Sequence, residues 1–203
     1  MRYGGRCSEG SAAGVAACAG GFSLLISVPL VYLGVRQWRR LRRRWSRQRL
    51  LESISVELVS NVLVPDANGG GIHLDSVLLT PRGLLIIDWR EIPGNVFGSD
   101  AMSEWTVMDG QRRYTFANPQ ALLYDRIAAV KAIAGDIPVE GRVVFADGAV
   151  FPKGLPRLTC RESELIPDVL LEDRRHAEQV VAPWRKQWSS LRALLTPSAF
   201  GAR

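Results

Sequence analysis

HLDSVLLTPRGLLIIDWR, residues 73–90, is the stretch that decides the fold. Two apolar runs, His73–Leu79 and Leu84–Trp89, flank Thr80-Pro81-Arg82-Gly83. A turn with Pro at its second place and Gly at its fourth is what type I geometry favours, so the runs read as the strands of a β-hairpin. If Thr80 and Gly83 close it, paired residue numbers sum to 163 and Asp75 falls opposite Asp88. Residues opposed across antiparallel strands hold their Cβ atoms about 4.5–5.5 Å apart, and two like charges there are unfavourable unless a cation or a proton intervenes. Arg90 lies two residues beyond Asp88 and therefore on the same face. The pair suits a hard divalent ion such as Mg²⁺, with Arg90 beside the bound water. From spacing alone, a solvated strand end at which Arg90 offsets one carboxylate is the plainer reading.

Working outward, Val56–Val64 reads as a further strand, closed by the Pro-Asp-Ala-Asn-Gly-Gly-Gly cluster at 65–71. Beyond Pro93-Gly94-Asn95 a loop runs to Gly98. Glu104–Met108 and Arg112–Phe116 form a second hairpin about Asp109-Gly110, a strong two-residue turn signal. Asn118-Pro119 opens a helix to Ala134, with Leu122, Ile127, Val130 and Ile133 on its buried stripe. Val139–Ala146 follows as a buried strand and Arg157–Cys160 as a short one. A helix starts at Glu162, and a last helix carries Val180, Trp184, Trp188, Leu191 and Leu195. This order gives one α/β domain over residues 51–203, a mixed β-sheet flanked by helices.

The N-terminal third has a different character. Gly10–Val35 contains no charged residue, and at about 1.5 Å per residue a helix of that length spans a hydrocarbon core of about 30 Å. A cleaved leader would end in small residues, whereas this run ends in Tyr32-Leu33-Gly34-Val35 and then arginines. Val15-Ala16-Ala17-Cys18 has the form of a lipid-attachment site, yet the apolar stretch continues well past Cys18. Pro29 and five glycines would weaken a helix more in water than in lipid. Residues 10–35 are therefore expected to be a transmembrane helix, with a short non-cytoplasmic segment at 1–9. Residues 36–50 form a collar with eight arginines and two tryptophans, which places the C-terminal domain in the cytoplasm by the positive-inside rule.

The net charge of +6 is concentrated in that collar. After it, 16 Lys and Arg face 19 Asp and Glu, a net of −3, so the domain as a whole does not attract a phosphate backbone. The collar is read as contacting anionic inner-membrane lipid, with nucleic acid as the alternative. Cys7, Cys18 and Cys160 form no C-x-x-C pair, and with two histidines there is no zinc-ligand spacing.

Asn61-Val-Leu-Val-Pro65, the glycine-led hairpin with Asp75 and Asp88-Trp89-Arg90, Gly94-Asn-Val-Phe-Gly98, Trp105 and Phe116-Ala-Asn-Pro119 occur in an order that resembles the nuclease-related domain family, NERD, from about Ser53 to Leu170. The resemblance implies a restriction-endonuclease-like core in which an aspartate and a Glu-x-Lys bind a divalent metal, Mg²⁺, and prepare a water to attack a phosphodiester. Asp75 matches the aspartate; Asp88 and Arg90 stand where glutamate and lysine are usual. These three are the implied catalytic residues, with Asp75 and Asp88 as metal ligands. Arginine keeps its proton, so a lysine's role as base or water-orienting group is largely lost. Leu122 stands where the family places a glutamine, with Gln120 nearby, and Glu91 faces away from Asp88. His73, two residues before Asp75, is within reach of the site. Two functions follow: a metal-dependent nuclease acting on DNA, held as a single-pass protein at the inner face of a bacterial membrane, or a degenerate relative serving there as a binding or scaffolding module.

Overall fold

The computed structural model describes residues 19–65, 70–169 and 173–198. It divides into two compact units, one up to Arg47 and one from Gln48 onward. Helix α1, Ala19–Ile54, is 36 residues long and begins inside the expected apolar segment 10–35. Residues 10–18 of that segment, and the side chains of 19–30, lie outside the described residues. Among the described residues, no helix is long and apolar enough to cross a membrane. In the collar, the Arg42 guanidinium sits 5.3 Å from the centre of the Trp38 ring, a cation–π distance.

The second unit is built on a six-stranded mixed sheet. Its strands are β1 (Glu57–Pro65), β2 (Gly71–Thr80), β3 (Gly83–Arg90), β7 (Val139–Phe145), β9 (Thr159–Arg161) and β10 (Thr196–Pro197), ordered β10-β1-β2-β3-β7-β9. A four-stranded sheet, ordered β6-β5-β4-β8, comprises β4 (Gly94–Phe97), β5 (Glu104–Asp109), β6 (Arg112–Ala117) and β8 (Ala149–Val150). The run expected to loop to Gly98 is thus strand β4, and there are two sheets where one was expected. Helices α2 (Pro119–Ala134), α3 (Glu162–Val169), α4 (Arg174–Val181) and α5 (Arg185–Leu194) complete the unit. The expected final helix is interrupted by a 3₁₀ turn at Ala182–Trp184, because Pro183 lacks the N–H that a continuous helix requires.

Strands β2 and β3 are nearly continuous apolar runs because both faces of the sheet are covered. On one face Leu84, Ile86 and Val143 pack with Leu123 and Val130 of α2, Trp188 of α5 and Trp105 of the second sheet. On the other, Leu78, Leu85 and Ile87 pack with Leu51 and Ile54 at the end of α1 and Leu165 of α3. α2 begins where Asn118-Pro119 predicts, the Asn118 side chain accepting from the Gln120 N–H. Its buried stripe is Leu123, Arg126, Val130 and Ala134, while Leu122 is 43% exposed. The expected stripe is therefore rotated by one residue at its N-terminal end.

One irregularity positions the site. The β1–β2 ladder pairs Ser60 with Ser76 and Val62 with Leu74, passing over Asn61 and Asp75. Asn61 has φ +54, a left-handed conformation that asparagine tolerates better than most residues. Across the break the alternation of faces shifts by one on both strands: Val59, Val77 and Leu79 lie on the α2 side at one end of it, and Val62, Val64 and Leu74 lie on that same side at the other.

Candidate functional site

The hairpin pairs Thr80 with Gly83 through Ser76 with Ile87, which is the register expected from the turn. Asp75 and Asp88 occupy the next step beyond the last pair. Asp88 is only 2% exposed and is held in place by the parallel partner Val143 of β7. Asp75 falls outside the ladder pairs of its neighbours on both sides; its Oδ2 accepts the Trp89 N–H at 3.0 Å instead, so a side chain closes the end of the hairpin.

Two guanidiniums hold Asp88. Arg90 Nη2 donates to Oδ2 at 2.7 Å, and Arg126 Nη1 lies 2.9 Å from Oδ1. The Arg126 contact is an ion pair off the line of a hydrogen bond. Arg126 is anchored separately by its Nε, which donates to the His73 carbonyl at 2.8 Å. His73 Nδ1 stands 3.4 Å from Asp75 Oδ1, and its Nε2 is 2.9 Å from Asn61 Oδ1. Asn61 Nδ2 donates to the Ser198 carbonyl at 2.8 Å, so its oxygen faces the ring and Nε2 is assigned the hydrogen. Burial raises the Asp75 carboxyl above its ordinary value, and the neighbouring Asp88 adds to this; the Trp89 N–H and Arg126 pull it down by less.

The sequence-predicted residues Asp75, Asp88, Arg90 and His73 are therefore brought together, and Gln120 and Leu122 are not. Gln120 is buried and donates to Asp100 Oδ1 at 2.8 Å and to the Arg157 carbonyl. Those contacts, with the Arg157 N–H, hold Asp100 below its ordinary value. Sequence reasoning missed Arg126. Its signal was an arginine at an apolar place in the stripe 123, 126, 130, 134, whose spacing of three and four is that of one helix face.

These residues can be tested against a divalent ion. Mg²⁺ demands near-octahedral oxygen ligands at about 2.0–2.1 Å. Each carboxylate oxygen here already faces a protein partner: His73 and the Trp89 N–H at Asp75, Arg126 and Arg90 at Asp88. Among the described residues, no three His, Cys, Asp or Glu side chains are grouped to hold a metal. As arranged, the donor set does not fit the ion, and two fixed positive charges already supply the compensation it would bring.

Comparison with known families gives one finding. A family model described as the nuclease-related domain, NERD, matches residues 38–146, more than half of the chain. No curated protein and no solved structure matches.

Proposed function

Since the chain belongs to the nuclease-related domain family, we propose that it is a non-cleaving member, a binding module with a restriction-endonuclease-like core, tethered at the inner face of a bacterial membrane. The observation that carries this reading is the enclosure of Asp88 between Arg90 and Arg126. The residue at the metal-ligand place is neutralised by side chains, and an arginine, unlike a lysine, offers no base at position 90. The tether is supported by the uncharged run Gly10–Val35 and the arginines that follow it. Nucleic acid is the ligand class the family suggests, and anionic lipid the one the collar suggests.

A metal-dependent nuclease is the second reading, favoured by the convergence of Asp75, Asp88 and Arg90 at one strand end. Incubation of the full chain with plasmid and single-stranded DNA, in Mg²⁺ or Mn²⁺, separates the two. The non-cleaving reading expects intact DNA, together with retarded migration of DNA or sedimentation with anionic vesicles. It also expects that Asp88→Glu with Arg90→Lys remains inactive while Arg126 is present. Metal-dependent cutting abolished by Asp75→Ala would establish the nuclease instead.

A further inference from the structure

We infer that Arg126 is the resident counter-cation of the carboxylate pair, and that removing its guanidinium opens a site for a hard divalent cation between Asp75 and Asp88. This rests on the non-cleaving reading and adds the element responsible for it. A buried carboxylate needs a compensating charge, since an isolated one in a poorly polarisable interior is strongly unfavourable. Arg90 supplies part of that charge from the rim, where its side chain is 30% exposed. Arg126 lies deeper, 7% exposed on the buried stripe of α2.

The chemistry of its contacts says what would replace it. Arg126 touches two oxygens on the sheet, Asp88 Oδ1 at 2.9 Å and the His73 carbonyl at 2.8 Å. Asp75 stands opposite Asp88 in the hairpin register, one step beyond the Ser76–Ile87 pair. Deleting the guanidinium would uncover Asp88 Oδ1 and the His73 carbonyl oxygen, with Asp75 at the adjoining position across the hairpin. Hard cations take such all-oxygen sets, completed by water. A guanidinium cannot be deprotonated in a protein, so rising pH does not remove its charge. Sequence differences at Asp88 and Arg90 alone would not produce this closure; it comes from a helix residue 36 positions beyond Arg90 in the chain.

The test uses Mn²⁺ as probe and the full chain, with the free-ion paramagnetic resonance signal as readout. Wild type should leave the Mn²⁺ signal unchanged. Arg126→Met, similar in reach but uncharged, should take up one Mn²⁺ per chain at least about tenfold more tightly, and Asp88→Asn in that background should remove the gain. Arg126→Lys keeps a cation and should stay silent. If Arg126→Met does not fold alone, its folding should be restored by Mn²⁺, whose binding shifts the equilibrium by mass action, or by adding Asp88→Asn. Mn²⁺ uptake by wild type that Asp75→Asn abolishes would overturn both the inference and the non-cleaving reading. A silent wild type with a folded, equally silent Arg126→Met would overturn the inference alone. Failure of both Mn²⁺ and Asp88→Asn to restore a misfolded Arg126→Met would do the same.

Discussion

Arg126, on helix α2, places its guanidinium 2.9 Å from Asp88 on strand β3, and the two side chains are 7% and 2% exposed. Removing one member of such a buried pair strands the other charge, at a cost of about 3–5 kcal/mol, whereas removing both is far less damaging. Urea unfolding should therefore show Arg126→Met well below wild type, with Arg126→Met/Asp88→Asn recovering most of the loss. Equal destabilisation of the single and double variants would mean that Arg126 acts through packing, not charge.

Asp75 should make stability depend on pH in a recognisable direction. Its folded-state value lies above the ordinary 3.8, so the native state keeps the proton where the unfolded chain has lost it. The stability it contributes is present below the ordinary value and is lost as pH rises through the raised one. Asp75→Asn, which can still accept from the Trp89 N–H, should melt higher than wild type near neutral pH and converge with it in acid. Asp100 runs the opposite way, since Gln120 and Arg157 lower its value. Its contribution is present above the ordinary value and is lost as pH falls through the lowered one, so Asp100→Asn should melt lower at neutral pH. Parallel melting curves for Asp75→Asn and wild type at every pH would contradict the assignment.

Gly83 closes the hairpin at φ +121, and a Cβ there would lie 2.3 Å from the Pro138 carbonyl oxygen. Strain of this kind costs about 1–3 kcal/mol per residue. Gly83→Ala should lower the melting temperature measurably, whereas Gly110→Ala, at φ +58 with open space around it, should be milder. Circular dichroism melts of the two variants decide the order.

The arginine asymmetry makes a prediction about topology. A reporter fused after Arg203 should read as cytoplasmic, and a membrane-impermeant thiol reagent should reach Cys7 from outside. An exported C-terminal reporter would reverse the orientation, and a chain fully soluble without detergent would remove the anchor.

How much of this was legible in the sequence depended on whether a signal was local. The Thr80–Gly83 turn set the register that brings Asp75 and Asp88 side by side, and Asn118-Pro119 fixed the first residue of α2, because turns and caps act over a few residues. Strand β4 was hidden because Gly94-Asn95-Val96-Phe97 is rich in turn formers, and it pairs only through β5 and the two-residue β8 far along the chain. Arg126 was hidden for a related reason. A charged residue on a helix reads as solvent-facing until its partner on another element is known, and a one-residue error in the stripe sufficed to turn it outward.

The six-stranded sheet has its longest strands inside and its shortest at the rims. β1, β2, β3 and β7 span seven to ten residues, while β10 and β9, the two outermost, span two and three. At one rim Thr196 and Pro197 lie along β1 opposite Leu63 and Val62, and proline offers no N–H there for anything to add to. A strand edge this short is a poor template for a foreign strand, so the domain resists growing by edge-to-edge addition. Trimming the chain before Thr196 would uncover the nine-residue strand β1 as the edge and take that blunting away.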